Sequence, residues 1–174
     1  MICIALLAYN TCSSRGVKMK RDPSFSDPIN KLFIVVNHGQ VDNLDSAYTP
    51  LLMTALKNEF SQKGVETEIR VVSPLALNEN AYLAEIASYN PDGVMTIVTS
   101  GGVMGPYGGM TKILYDVSLF DPSKESRIWR AQIDASGGTA VREKRMQMMA
   151  HDLIQRLSED KIISSEPRKK KDQL

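Results

Sequence analysis

Apolar runs, which predict strands, alternate along this chain with amphipathic stretches, which predict helices. Residues 31–37 form a nearly continuous apolar run, which is typical of a strand buried on both faces. Thr49 and Pro50 then open a segment with apolar residues at helical spacing, and Gly64 ends it. Residues 65–72 alternate between apolar and polar side chains, which predicts a half-exposed strand near a sheet edge.

The second half of the chain predicts another amphipathic helix, a central strand over residues 94–99 and then a hairpin. The hairpin strands alternate over 113–119 and 129–133 around a turn at 121–124, and a helix follows over 141–157. Because the two crossover helices make the first three strands parallel, we predict an α/β (α+β) domain. Its sheet would be mixed and five-stranded, in the order β-α-β-α-β-β-β-α, with a single layer of helices packed on it.

The chain divides by composition into four parts. Residues 1–12 are mostly apolar, and residues 13–30 are polar and without a period, which indicates a solvated linker. Residues 31–163 form the predicted domain, and residues 164–174 a basic tail. The first part is too short to span a bilayer as a helix, which takes about 20 apolar residues.

The apolar run at residues 1–12 ends on a cysteine, and such a short run is typical of an export signal. It resembles a bacterial lipoprotein signal, in which the cysteine becomes the lipidated first residue of the mature protein. The resemblance implies lipidation at Cys12, a location in the cell envelope facing the periplasm and, with Ser13 next, sorting to the outer membrane. Tyr9 and Thr11 depart from the usual pattern, so a plain N-terminal strand over residues 2–8 is the alternative.

Charge and residue types exclude several classes of function. The 21 basic and 20 acidic residues are balanced, whereas a dedicated nucleic-acid binder would show a strong basic excess. Both cysteines, Cys3 and Cys12, precede residue 13, so the predicted domain has no disulfide or thiolate metal site. His38 and His151 have no ligand spacing around them. We therefore predict no metal, no cofactor and no nucleic-acid partner.

A glycine-rich stretch at residues 101–109 is the candidate binding segment. It is followed by an alternating strand pattern and not by a helix, so it lacks the context of a phosphate-binding loop. We interpret it as a mobile connection between antiparallel strands that presents apolar groups to a partner. The candidate partner-binding residues are Gly101, Gly102, Met104, Tyr107 and Gly108.

Catalytic chemistry has one weak candidate, His38 with Asp42 and Asp45 as orienting carboxylates. Since no serine or cysteine nucleophile accompanies it in a motif, we interpret His38 as a surface residue and assign no catalytic residue. Trp129 shares the apolar side of its alternating segment, which predicts a core position.

Residues 113–122, then 127–131, then the helix end at 153–157 resemble a pattern found in small bacterial envelope lipoproteins. The resemblance extends over about residues 31–163. It implies a fold similar to the N-terminal domain of TolB and to periplasmic assembly lipoproteins. It also implies a non-enzymatic, membrane-anchored protein that binds an envelope partner or itself, in the assembly or export of an envelope polymer. Two alternatives stay open: a cytosolic small-ligand-binding protein or enzyme with a cleft at the strand ends, and a ring-forming secretion component.

Overall fold

The computed structural model describes residues 19–37, 48–72, 81–105, 110–135 and 142–164. Within these ranges the chain forms six strands and three helices. In chain order they are β1 (Met19–Arg21), β2 (Lys31–Asn37), α1 (Tyr48–Gln62), β3 (Glu66–Val72), α2 (Ala81–Tyr89), β4 (Gly93–Met104), β5 (Met110–Asp121), β6 (Ser126–Asp134) and α3 (Arg142–Glu159). The predicted order of eight elements is confirmed from β2 to α3.

All six strands belong to one mixed sheet in the order β1-β6-β5-β4-β2-β3. Strand β2 pairs in parallel with both β3 and β4, whereas the β4–β5, β5–β6 and β6–β1 pairs are antiparallel. The mixed sheet, the central position of β2 and the edge position of β3 are therefore as predicted. The count of five strands is wrong, because β1 adds a sixth strand outside β6.

Strand β1 lies inside residues 13–30, the stretch predicted to be a linker. Its three residues pair with the segment from Trp129 to Ala131 of β6. The chain that follows β1 buries Phe25 and Ile29, which are 5% and 2% exposed. Three residues are too few to show a period of two, so the pattern gave no sign of this strand. The open edge of β6 provides the hydrogen-bond partners that fix it.

The helices cover both faces of the sheet, so the prediction of a single helical layer is wrong. Leu32, Ile34 and Val36 of β2 face the core that α1 and α3 cover. Phe33 points the other way and packs edge-on against Tyr89 of α2, with ring centroids 5.9 Å apart. The β2–β3 and β3–β4 connections run in opposite directions across the sheet. Since connections between parallel strands are right-handed as a rule, these opposite directions place the two helices on opposite faces.

The main core lies between the sheet and the α1–α3 pair. Trp129 is 1% exposed there, together with Tyr115 and Val117 of β5, so its predicted core position is confirmed. The indole Nε1 donates a hydrogen bond of 2.6 Å to Oδ2 of Asp160, just beyond the end of α3. This bond joins the outer part of the sheet to the end of the last helix.

Candidate functional site

The structure corrects the extent of the predicted glycine-rich loop. Gly101 and Gly102 are not in a loop, because β4 continues through them and pairs with β5 as far as its last residue, Met104. Tyr107 and Gly108 lie outside the described residues. The segment does connect antiparallel strands, as predicted. Glycine is rare inside strands, which is why the sequence pattern placed the end of β4 too early.

A β-bulge in β4 allows this continuation, since the register to β5 shifts between Thr99 and Gly101. A Cβ atom added at Gly101 would lie 3.8 Å from Leu114 Cδ1, so the site has room for a side chain. Beyond the bulge, Val103 is 52% exposed and its carbonyl accepts a hydrogen bond of 3.0 Å from the Thr111 hydroxyl. The described part of this hairpin end is therefore paired strand with one exposed apolar side chain.

The other residues considered for chemistry are not brought together in the described structure. Cys12, His38, Asp42 and Asp45 lie outside the described residues. His151 is exposed on α3, with Nδ1 3.3 Å from Oε2 of a glutamate on α1. Among the described residues, no three or more His, Cys, Asp or Glu side chains are close enough to hold a metal ion. The helices within those ranges include none long and apolar enough to cross a membrane.

A cavity of about 500 Å³ lies where β1 pairs with the first half of β6. Its charged lining residues are four cations, Lys20, Arg21, Arg127 and Arg130, and a single carboxylate, Asp22. The cavity is therefore electropositive, although the whole chain has a formal net charge of only +1.

A β-bulge in β6 arranges two of these arginines. The register between β5 and β6 shifts by one residue around Ile128. Ile128 and Trp129 consequently both face the core at 1% exposure, and Arg127 and Arg130 on either side of them are both exposed. The guanidinium of Arg127 lies over the ring of Phe120, 5.3 Å from its centroid. The bulge thus places Arg127 and Arg130 on the sheet face opposite α1 and α3.

Lys20 joins them on that face, because it lies directly opposite Arg130 in the β1–β6 pair. We call Lys20, Arg127 and Arg130 the basic face. In the part of the chain that the structure describes, the Lys20 and Arg130 side chains have no hydrogen-bond or ion-pair partner. Like charges directly opposite one another in a sheet are destabilising. The nearby carboxylate of Asp116 accepts a hydrogen bond of 3.1 Å from Gln132.

The remaining charged groups of the cavity are already engaged. Arg21 donates from Nη2 to the Phe25 carbonyl at 2.7 Å, while its Nε is buried without a hydrogen-bond partner. Asp22 accepts hydrogen bonds from the Ser24 backbone N–H at 2.9 Å and the Ser24 hydroxyl at 2.8 Å. These bonds hold the pKa of Asp22 below its ordinary value. The Asp22 carboxylate therefore stays ionised and offsets one of the four positive charges, so the charged lining residues of the cavity carry a net charge of +3.

Sequence reasoning missed the basic face for identifiable reasons. Arg127 and Arg130 are three residues apart, a spacing that puts them on opposite sides of a regular strand. Lys20 lies in the stretch predicted to be a linker. The one available signal was the surplus of basic residues around Trp129, in a segment that alternates as a strand.

A smaller cavity of about 260 Å³ lies between α1 and α3 and has acidic lining residues, including Glu59 and Glu143. Gln147 donates to Glu143 at 3.2 Å across one helical turn. These are ordinary solvated helix contacts.

No family model and no curated protein matches the sequence. Solved structures do match it. The PelC dodecamer from Paraburkholderia phytofirmans superposes with a TM-score of 0.53 at 13% identity, over 80% of this chain and 94% of that chain. Lipoprotein GNA1162 from Neisseria meningitidis has a TM-score of 0.43 at 11% identity, over 74% and 98%. TolB from Acinetobacter baumannii has a TM-score of 0.39 at 16% identity, over 82% and 31%. The likeness to PelC shows a shared fold.

Proposed function

We propose that this protein is an exported lipoprotein, anchored through Cys12, that works in the cell envelope by binding and self-association. The observation that carries the proposal is the apolar run ending on Cys12, placed before a domain with the fold of PelC. The resemblance of the sequence to assembly lipoproteins supports a role in the assembly or export of an envelope polymer.

Binding is favoured over turnover by the chemistry of the basic face. Its charged groups are two guanidinium groups and one ammonium group. Such groups hold anions well but are poor at exchanging protons during a reaction near pH 7. We therefore propose that the protein is not an enzyme.

Self-association is supported by two features. PelC, whose fold this chain shares, forms a dodecamer. The outer strands of the sheet, β1 and β3, each present one edge that no described strand covers. The mass of the detergent-extracted protein tests this part of the proposal. A mass several times that of the 19.3 kDa chain is expected, and a monomer mass would contradict self-association.

The anchor is tested by labelling cells with a clickable palmitate and fractionating them. Cys12→Ala should lose the label and leave the membrane fraction. Cys3→Ala is the matched control and should keep both properties, because Cys3 lies within the apolar run. Label that persists in Cys12→Ala would contradict the anchor. An unlabelled wild-type protein in the soluble fraction would favour the cytosolic small-ligand-binding protein or enzyme.

A further inference from the structure

We propose that the basic face, formed by Lys20, Arg127 and Arg130, binds the phosphate groups of anionic lipid headgroups and so holds the domain against a membrane. The inference deepens the proposed function and rests on it in one respect, the presence of the Cys12 anchor that brings the domain to the bilayer. The binding chemistry itself depends only on described residues.

The geometry of β6 suits a phosphate ligand. Two arginines are aligned on one face only because a bulge inserts Ile128 between them, and bulges commonly redirect side chains at binding sites. Each guanidinium is a rigid planar fork that matches two oxygens of a phosphate group. The ring of Phe120 beneath Arg127 fixes the orientation of that guanidinium.

The electrostatics of the pairing also call for an anion. Lys20 and Arg130 are held directly opposite each other, and neither side chain forms an ion pair with a described residue. An anion bound there converts a repulsive pair into two attractive contacts. The adjoining cavity of about 500 Å³ has room for a headgroup phosphate, and Arg21 is also among its lining residues.

Chain length favours a membrane lipid as the source of the phosphate. Lys20 follows Cys12 by eight residues, and an extended chain of that length spans at most about 29 Å. In a protein anchored at Cys12, the distance from Lys20 to Cys12 is therefore smaller than the thickness of one bilayer, which is about 40–45 Å. Basic residues near an anionic surface each strengthen membrane binding by about five-fold.

Vesicle co-sedimentation of the full chain carrying Cys12→Ala tests the proposal without any attached lipid. Binding to vesicles of phosphatidylcholine alone measures what the apolar first residues contribute. The additional binding to vesicles that also contain phosphatidylglycerol measures the anionic component. Combining Arg127→Gln with Arg130→Gln should reduce this component by roughly thirty-fold, about five-fold for each charge, while leaving binding to neutral vesicles unchanged.

The matched control combines Lys57→Gln with Lys144→Gln, which removes the same charge from exposed positions on α1 and α3. It should retain the anionic component. Because the arginine substitutions relieve repulsion at Lys20, they should leave the melting temperature unchanged or raise it. Equal losses in both double variants, or no loss in either, would overturn the proposal.

A second arm separates lipid from soluble phosphate. Binding of inorganic phosphate that the arginine substitutions abolish, with no preference for anionic vesicles, would assign the site to a soluble ligand and overturn the membrane proposal. The vesicle assay and the palmitate assay fail independently. Loss of vesicle preference leaves the Cys12 anchor intact, and loss of palmitate labelling leaves the phosphate site intact.

Discussion

Removing the Asp160 carboxylate should destabilise the domain measurably, because this group is the partner of the buried Trp129 indole. The Nε1···Oδ2 distance is 2.6 Å, and Trp129 is 1% exposed. Asp160→Ala deletes a charged acceptor and leaves a buried N–H without its partner. Hydrogen bonds to charged groups contribute about 1.5–3 kcal/mol. At about 2–4 °C per kcal/mol for a chain of this size, the expected fall in melting temperature is about 3–12 °C.

A double-mutant cycle isolates this hydrogen bond from the packing of the ring. Trp129→Phe removes the donor but keeps an aromatic ring, so Asp160→Ala in that background should cost less than about 0.5 kcal/mol. Asp152→Ala serves as the control, because Asp152 is a carboxylate on α3 that takes no part in this bond. Unfolding in urea followed by far-ultraviolet circular dichroism gives each free energy, since substituting the single tryptophan removes intrinsic tryptophan fluorescence.

Two results would refute this reasoning. A melting temperature of Asp160→Ala within about 1 °C of wild type would show that the bond contributes nothing to stability. An equal cost of Asp160→Ala in the Trp129→Phe background would show that the carboxylate acts through some other group.

Three further predictions concern pH and packing. Burial raises the pKa of Asp121, but hydrogen bonds from the turn outweigh burial and leave the pKa below its ordinary value. The carboxylate therefore stabilises the fold above about pH 3.9, and this contribution is lost as the pH falls through the folded pKa. Asp121→Asn should flatten the acid limb of a plot of melting temperature against pH. Burial raises the pKa of Tyr115, so the stability that the neutral phenol contributes is complete below about pH 10 and is lost as the pH rises through the folded pKa. Tyr115→Phe should flatten the alkaline limb of the same plot of melting temperature against pH. A Cβ atom added at Gly93 would lie 2.6 Å from Ile29 Cδ1, whereas one added at Gly101 would lie 3.8 Å from its nearest atom. Gly93→Ala should therefore lower the midpoint of urea unfolding more than Gly101→Ala does. A larger fall for Gly101→Ala would contradict this packing.

Much of the fold could be predicted from the sequence because its long elements have clear periods. The alternating β5 and the striped α3 each extend far enough to show one, and the apolar run of β2 is long enough to indicate a strand buried on both faces. Strand β1 has only three residues and depends on the open edge of β6, so its existence is a tertiary effect. The distribution of helices over two faces follows from the handedness of two successive crossovers, and periodicity within one element carries no such information.

The site was less predictable because it depends on register. A regular strand puts Arg127 and Arg130 on opposite faces, and only the extra residue at Ile128 reverses this. In the same way, the bulge next to Gly101 lets β4 continue where glycines indicate a loop. Bulges depend on how two strands align, and neither strand's sequence specifies that alignment alone.

The central claim, export and anchoring through Cys12, is tested most directly by the intact mass of the protein extracted from membranes. We predict a chain that begins at Cys12 and is heavier than its peptide by a diacylglyceryl group on Sγ and an amide-linked acyl chain. A chain that retains residues 1–11 and carries an unmodified Cys12 thiol would contradict it.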